Sequence, residues 1–112
     1  MNYKIKSRIW IEVDGHILLG EGRVNLLKAI EETGSLSKAA KLLGMSYKKA
    51  WSLIDAVNKR AEKPVTTTSI GGKGGGGASL TAYGKSLVET FETINENCWK
   101  FLDAQIKNSK LK

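Results

Sequence analysis

The stretch SKAAKLLGMSYKKAWSLI, Ser37 to Ile54, reads as two short helices meeting across a tight turn. Ala40 is small where two helices must approach closely. Gly44, four residues on, suits a sharp turn at positive φ. Leu43, Met45, Ala50 and Leu53 fall where such a pair faces a core, and Val57 extends the inner stripe of the second helix. Ser35 and Ser37 are N-cap candidates for the first helix, which runs to about Leu43. Ser46 can cap the second, which covers about 47–61 and ends before Pro64. An ordinary helical hairpin with a solvated lysine face shares part of this pattern. Small residue, glycine, apolar stripe and basic tip together favour a helix-turn-helix.

The outer face of the second helix is left with Tyr47, Lys48, Lys49, Ser52, Asp55 and Lys59. A recognition helix enters the major groove by its N-terminal turn. Its unpaired amides and dipole also favour a phosphate there. Ser46, Tyr47, Lys48, Lys49 and Ser52 are therefore expected to face double-stranded DNA. Lys38, Lys41 and Lys59 are expected to touch phosphates, which adds affinity without sequence information. Trp51 either reaches the DNA or packs beneath the helix, and packing is expected, because large aromatics on short helices are more often core.

The composition agrees. At 112 residues the chain is expected to form a single domain, large enough to bury a core without metals or disulfides. Eighteen Lys and Arg against 11 Asp and Glu leave a formal charge of +7, which attracts polyanions. Cys98 is the sole cysteine, so no internal disulfide can form, which fits a reducing compartment. The N-terminus MNYKIKSRIWIEV alternates polar and apolar residues and is neither a signal peptide nor a membrane span. A cytoplasmic, membrane-free protein is expected. His16 has no second histidine to pair with, and no nucleophile–base pair or carboxylate constellation stands out. Neither an enzyme, a metal site nor a cofactor is expected.

Upstream, residues 4–13 alternate as a strand, Asp14-Gly15 is a two-residue hairpin turn, and residues 16–19 can return. Residues 21–32 carry Val24, Leu27 and Ile30 on one helical face with Leu26 beside it, and Thr33-Gly34 stops this helix. Downstream, residues 65–70 suit a strand, and IGGKGGGGASLT follows at Ile70 to Thr81. Gly72 to Gly77 formally matches G-x-G-x-x-G, but the dinucleotide motif needs a helix opening directly from it, and here a second short strand intervenes. Gly84-Lys85-Ser86 resembles the end of a P-loop, yet Ser79 stands where that motif needs glycine. The better reading is the tip of a β-hairpin, a wing. Gly71, Gly72, Gly74, Gly75, Gly76 and Gly77 let the backbone approach a phosphate or the minor groove, and Lys73 supplies a charge. A flexible loop of no consequence is the alternative.

The last segment, 82–108, reads as one long amphipathic helix. Leu87, Phe91, Ile94, Cys98 and Phe101 make an apolar heptad seam, which Leu102 widens. The seam predicts a homodimer, joined around residues 98–106. Packing of the same helix against the N-terminal hairpin can coexist with it.

Three segments together carry a family resemblance: Gly34-Ser35-Leu36-Ser37-Lys38-Ala39-Ala40, Met45-Ser46-Tyr47-Lys48-Lys49-Ala50-Trp51, and the glycine run followed by Leu80-Thr81-Ala82-Tyr83-Gly84. They resemble the N-terminal DNA-binding domain of the ModE family of molybdate-responsive transcription regulators. The helix-turn-helix portion is also similar to that of LysR-type regulators, whereas the glycine run before L-T-x-Y-G is far more specific. The resemblance implies a winged helix-turn-helix that dimerises and binds an inverted repeat. Family members also carry a C-terminal oxyanion-binding domain. This sequence stops at Lys112, so molybdate binding is not carried over, and a separate effector-sensing protein is a partner to consider. The expected architecture is α+β and mainly helical: a hairpin at 4–19, the helix-turn-helix and wing at 21–81, and a dimerisation helix at 82–108. The alternatives to a sequence-specific regulator are a non-specific architectural DNA-binding protein and a winged-helix adaptor that binds protein.

Overall fold

The computed structural model describes residues 1–69 and 77–111. Two antiparallel strands, β1 (Trp10–Val13) and β2 (His16–Gly20), form the first hairpin. Asp14 and Gly15 both take positive φ, 50° and 80°, which matches the twist of a tight two-residue turn. The strand begins at Trp10 and not at residue 4. Trp10 pairs with Gly20, where the chain turns into a helix, so residues 4–9 have no strand opposite them. They run instead toward the last helix, where Ser7 Oγ lies 3.7 Å from Cys98 Sγ.

Helix α1 (Glu21–Thr33) ends at Gly34, whose φ of 71° lets its N–H reach the Ile30 carbonyl at 2.7 Å. Helix α2 (Leu36–Leu42) starts from Ser35, whose hydroxyl accepts the Lys38 N–H at 3.2 Å. Gly44, at φ 68°, makes the turn. Helix α3 (Tyr47–Arg60) starts from Ser46, whose hydroxyl accepts the Lys49 N–H at 3.1 Å. Strands β3 (Thr66–Ser69) and β4 (Gly77–Leu80) pair antiparallel as the second hairpin, and α4 (Ala82–Lys107) closes the chain. Among the described residues, four helices and two small sheets make an α+β fold of winged-helix type. Lys73 and Gly71, Gly72, Gly74, Gly75 and Gly76 lie outside the described residues, while Gly77 opens β4.

The core lies where α1 meets everything else. Leu26, Leu27 and Ile30 of α1 are fully buried with Leu19, Ala39, Ala50, Val57 and Val65. Leu43 departs from expectation: it is 38% exposed, because α2 ends one residue earlier and Leu43 leaves the helical phase. Met45 packs against the core beyond the turn. Strand β4 docks on the end of α1 through the Ala78 N–H, which donates to the Gly34 carbonyl at 2.9 Å.

The start of α4 is the tightest junction. Thr81 caps the helix by accepting the Gly84 N–H at 2.9 Å, and its own N–H donates to the Val65 carbonyl at 2.9 Å. Its hydroxyl lies 2.8 Å from the Pro64 carbonyl. Gly84 then sits directly on the backbone of Val65, so close that any Cβ would collide with the Val65 carbonyl oxygen. The L-T-x-Y-G segment therefore has a mechanical meaning: Thr caps and ties, and Gly permits close approach. Beyond Phe91 the helix leaves the core, with no later residue of α4 fully buried.

Two glycines near helix starts should respond oppositely to alanine. Gly84→Ala must displace Val65 and should cost on the order of 3 kcal/mol, the scale of overpacking at a rigid site. Gly22→Ala meets nothing within 4 Å and lies in α1, so it should be neutral or stabilising by up to ~1 kcal/mol. Thermal melts followed by circular dichroism at one protein concentration check both signs.

Candidate nucleic-acid interface

Helix α3 has four distinct sides. Ala50, Ile54 and Val57 point into the core. Opposite them, Lys48, Ser52 and Lys59 are exposed, with Asp55 half-buried at their edge. Lys59 Nζ lies 2.8 Å from Asp55 Oδ2, one turn away, so its charge is partly matched within the helix. Lys48 and Lys49 form no ion pair among the described residues. Ser46, Tyr47, Lys48, Lys49 and Ser52 all lie exposed on the N-terminal half of α3, and Lys38 and Lys41 are exposed on α2 beside it.

The side of α3 toward β3 and β4 carries Tyr47, Trp51 and Asn58. Trp51 is not beneath the helix as expected. It is 52% exposed, and Tyr47, one turn earlier, is 56% exposed. The core side is already filled by Ala50, Ile54 and Val57, which leaves an indole at position 51 no buried space. Both rings border a groove of about 390 Å³, whose other wall is built from Ser35 and Ser37 at the start of α2 and Thr68, Ser69 and Ala78 of the second hairpin. Hydroxyls and aromatic rings thus face each other across a channel.

Asn58 holds that channel's geometry. Its Oδ1 accepts the Val65 N–H at 2.7 Å and the Thr66 N–H at 3.3 Å, and its Nδ2 donates to Thr66 Oγ1 at 3.0 Å. The wing is therefore clamped to α3 by one side chain, and nothing local in the sequence marks Asn58 for this role.

The fourth side of α3, toward the first hairpin, carries Lys49, Leu53 and Arg60. Lys49 and Leu53 border an apolar hollow of about 280 Å³ with Trp10, Ile17 and Met45. Arg23 and Arg60 both donate to the Ile17 carbonyl, at 2.6 and 2.9 Å. Burial, and then the neighbouring Arg60 charge, push the Arg23 guanidinium below its ordinary value.

No family model matches the chain. It is 47% identical over 72 residues to the Transcriptional regulator ModE of Yersinia pestis, covering 64% of this chain and 27% of that protein. It is 42% identical over 81 residues to the DNA-binding transcriptional dual regulator ModE of Escherichia coli K12, covering 72% and 31%. Over most of its length the chain matches the N-terminal region of ModE-family proteins. Another ModE relative, the Molybdenum transport protein ModE of Azotobacter vinelandii, is 37% identical over 97 residues, covering 87% of the chain and 36% of that protein. The chain thus spans about a third of the length of these ModE proteins.

Asn58→Ala should leave the buried Val65 amide without its acceptor and cost about 1–3 kcal/mol. Amide hydrogen exchange should accelerate at Val65 and Thr66 beyond the change in the α1 core. Equal acceleration everywhere would show that Asn58 contributes only to global stability.

Proposed function

We propose that the chain is a DNA-binding transcription regulator that acts as a homodimer on an inverted repeat. One observation carries the reading: the N-terminal half of α3 presents Ser46, Tyr47, Lys48, Lys49 and Ser52 outward, on a chain of net charge +7 that matches ModE-family proteins. The α3 N-terminus enters the major groove, and Lys38 and Lys41 neutralise flanking phosphates. From the sequence alone, Lys73 and the neighbouring glycines are assigned to contact with the backbone or the minor groove. The names of these relatives support DNA binding and regulation, and one of them names molybdenum transport. Molybdenum supply is accordingly the physiological setting we assign.

Dimerisation rests on α4. Phe91 is buried, and Cys98 and Leu102 are half-buried along the same inner face. Leu87, Ile94 and Phe101, spaced seven apart, form a separate stripe beside them. Ile94 is 48% exposed and Phe101 is 62% exposed. Such a stripe fits a second copy of the helix. Asn95 Oδ1 is shielded from solvent without a hydrogen-bond partner among the described residues, and a donor from a second copy would satisfy it.

The test is a fluorescence anisotropy titration with a duplex selected from random DNA, repeated across salt concentrations with unselected competitor. Binding should resist competitor, and the selected site should contain a repeated half-site. Changing Lys48 and Lys49 to alanine should flatten the salt dependence by about 0.9 in log–log slope for each phosphate no longer neutralised. Binding abolished equally by any competitor would favour an architectural protein, and no binding at moderate salt would favour a protein adaptor. Phe101→Asp should leave the fold intact, since the side chain is exposed, but should yield a monomer by light scattering and lose at least tenfold in affinity for the full repeat. An unchanged dimer would exclude this stripe as the joint.

A further inference from the structure

We infer that Tyr47 and Trp51 read thymine through its 5-methyl group, an inference that rests on the DNA-binding reading of α3. The two rings stand one helical turn apart on the wing-facing side of α3, each more than half exposed. Neither is required by the core, whose α3 face is complete with Ala50, Ile54 and Val57. Two large rings left in water on a basic helix need an apolar partner that lies next to phosphates. Lys48 and Lys49, following Tyr47, set the sign of that partner's surroundings.

A duplex offers few apolar surfaces to a helix in its major groove. The bases are stacked, so their faces are covered and only their edges are presented. Those edges carry hydrogen-bond donors and acceptors, and the thymine methyl is the apolar group among them. An aromatic ring can pack on that methyl, while Lys48 and Ser52, on the outward side, remain available for polar edges. Tyr47 OH and Trp51 Nε1 make no hydrogen bond among the described residues, so both polar tips remain available to phosphate oxygens along the hydroxyl-lined groove. The pair thus selects half-sites with thymine at one or two fixed positions, on the strand nearest the wing.

The experiment removes the methyl alone. In the selected duplex, each thymine is replaced in turn by deoxyuridine, and the Kd is measured for the unaltered protein, Trp51→Ala and Tyr47→Ala. The unaltered protein should lose about threefold to fivefold at one or two positions per half-site, the scale of one methyl taken out of water. At those positions the loss should vanish in one or both variants, which should bind the thymine duplex correspondingly less well. That non-additivity is the signature of direct contact. Both side chains are exposed, so the variants should melt within a few degrees of the parent, which circular dichroism verifies. Were a variant not to fold, the deoxyuridine scan of the unaltered protein would still decide. Several outcomes overturn the inference: no methyl-sensitive thymine, no thymine in the half-site, or sensitivity that persists in both variants. Tight binding without methyl sensitivity sinks this inference alone. Failure to bind any selected duplex sinks the DNA-binding reading with it.

Discussion

Helix α3, the second hairpin and α4 are all tied to the backbone of Val65. Its N–H is taken by Asn58 of α3, and its carbonyl by Thr81 at the head of α4. Its side chain is fully buried, and Gly84 lies against its carbonyl with no room for a Cβ. A buried peptide group needs both partners, since an orphaned donor or acceptor costs about 1–3 kcal/mol. Satisfying Val65 therefore places α3, the second hairpin and α4 relative to one another in a single step. The glycine at position 84 is what permits this, because a helix cannot otherwise approach a carbonyl so closely.

That junction sets the division of labour on α3. With one side in the core and one clamped to the wing through Asn58, the remaining arc of the helix is held at a fixed angle to the second hairpin. The groove between them is lined by hydroxyls of Ser35, Ser37, Thr68 and Ser69 and by the rings of Tyr47 and Trp51. Hydroxyls accept and donate readily beside phosphate, while rings supply area at low conformational cost. The opposite flank, with Arg23 and Arg60 on one carbonyl, serves to fasten the first hairpin to α1 and α3.

Helix α4 carries two apolar faces of different fate. Gly84, Val88 and Phe91 meet the core, and farther along Cys98 meets Ser7 from the N-terminal segment. Ile94 and Phe101, seven residues apart, lie off that face and are exposed, whereas Leu87, in line with them, packs against the core. A 26-residue helix spans about 39 Å, so its distal half extends past the core, whose contacts on α4 end at Phe91. The exposed pairs Lys28–Glu92 and Lys85–Glu31 link α1 to α4 but contribute little in water.

Residue chemistry acting over a few neighbours was legible in the sequence. Ser35 and Ser46 cap helices because a hydroxyl at that position accepts an amide two or three residues on. Gly34 and Gly44 take positive φ, and Asp14-Gly15 turns a hairpin, for reasons internal to each segment. The helix-turn-helix and its basic N-terminal turn followed from these local rules and from the 3.6-residue period. What the tertiary structure alone decided lies at borders between faces. Periodicity sets Trp51 at the edge of the inner stripe, and only the packing of Ala50, Ile54 and Val57 leaves it outside. Alternation makes residues 4–9 look like a strand, but a strand needs a partner, and β2 ends at Gly20. Asn58 and Gly84 look ordinary on their own helices, because the groups they serve belong to Val65, seven residues after one and nineteen before the other.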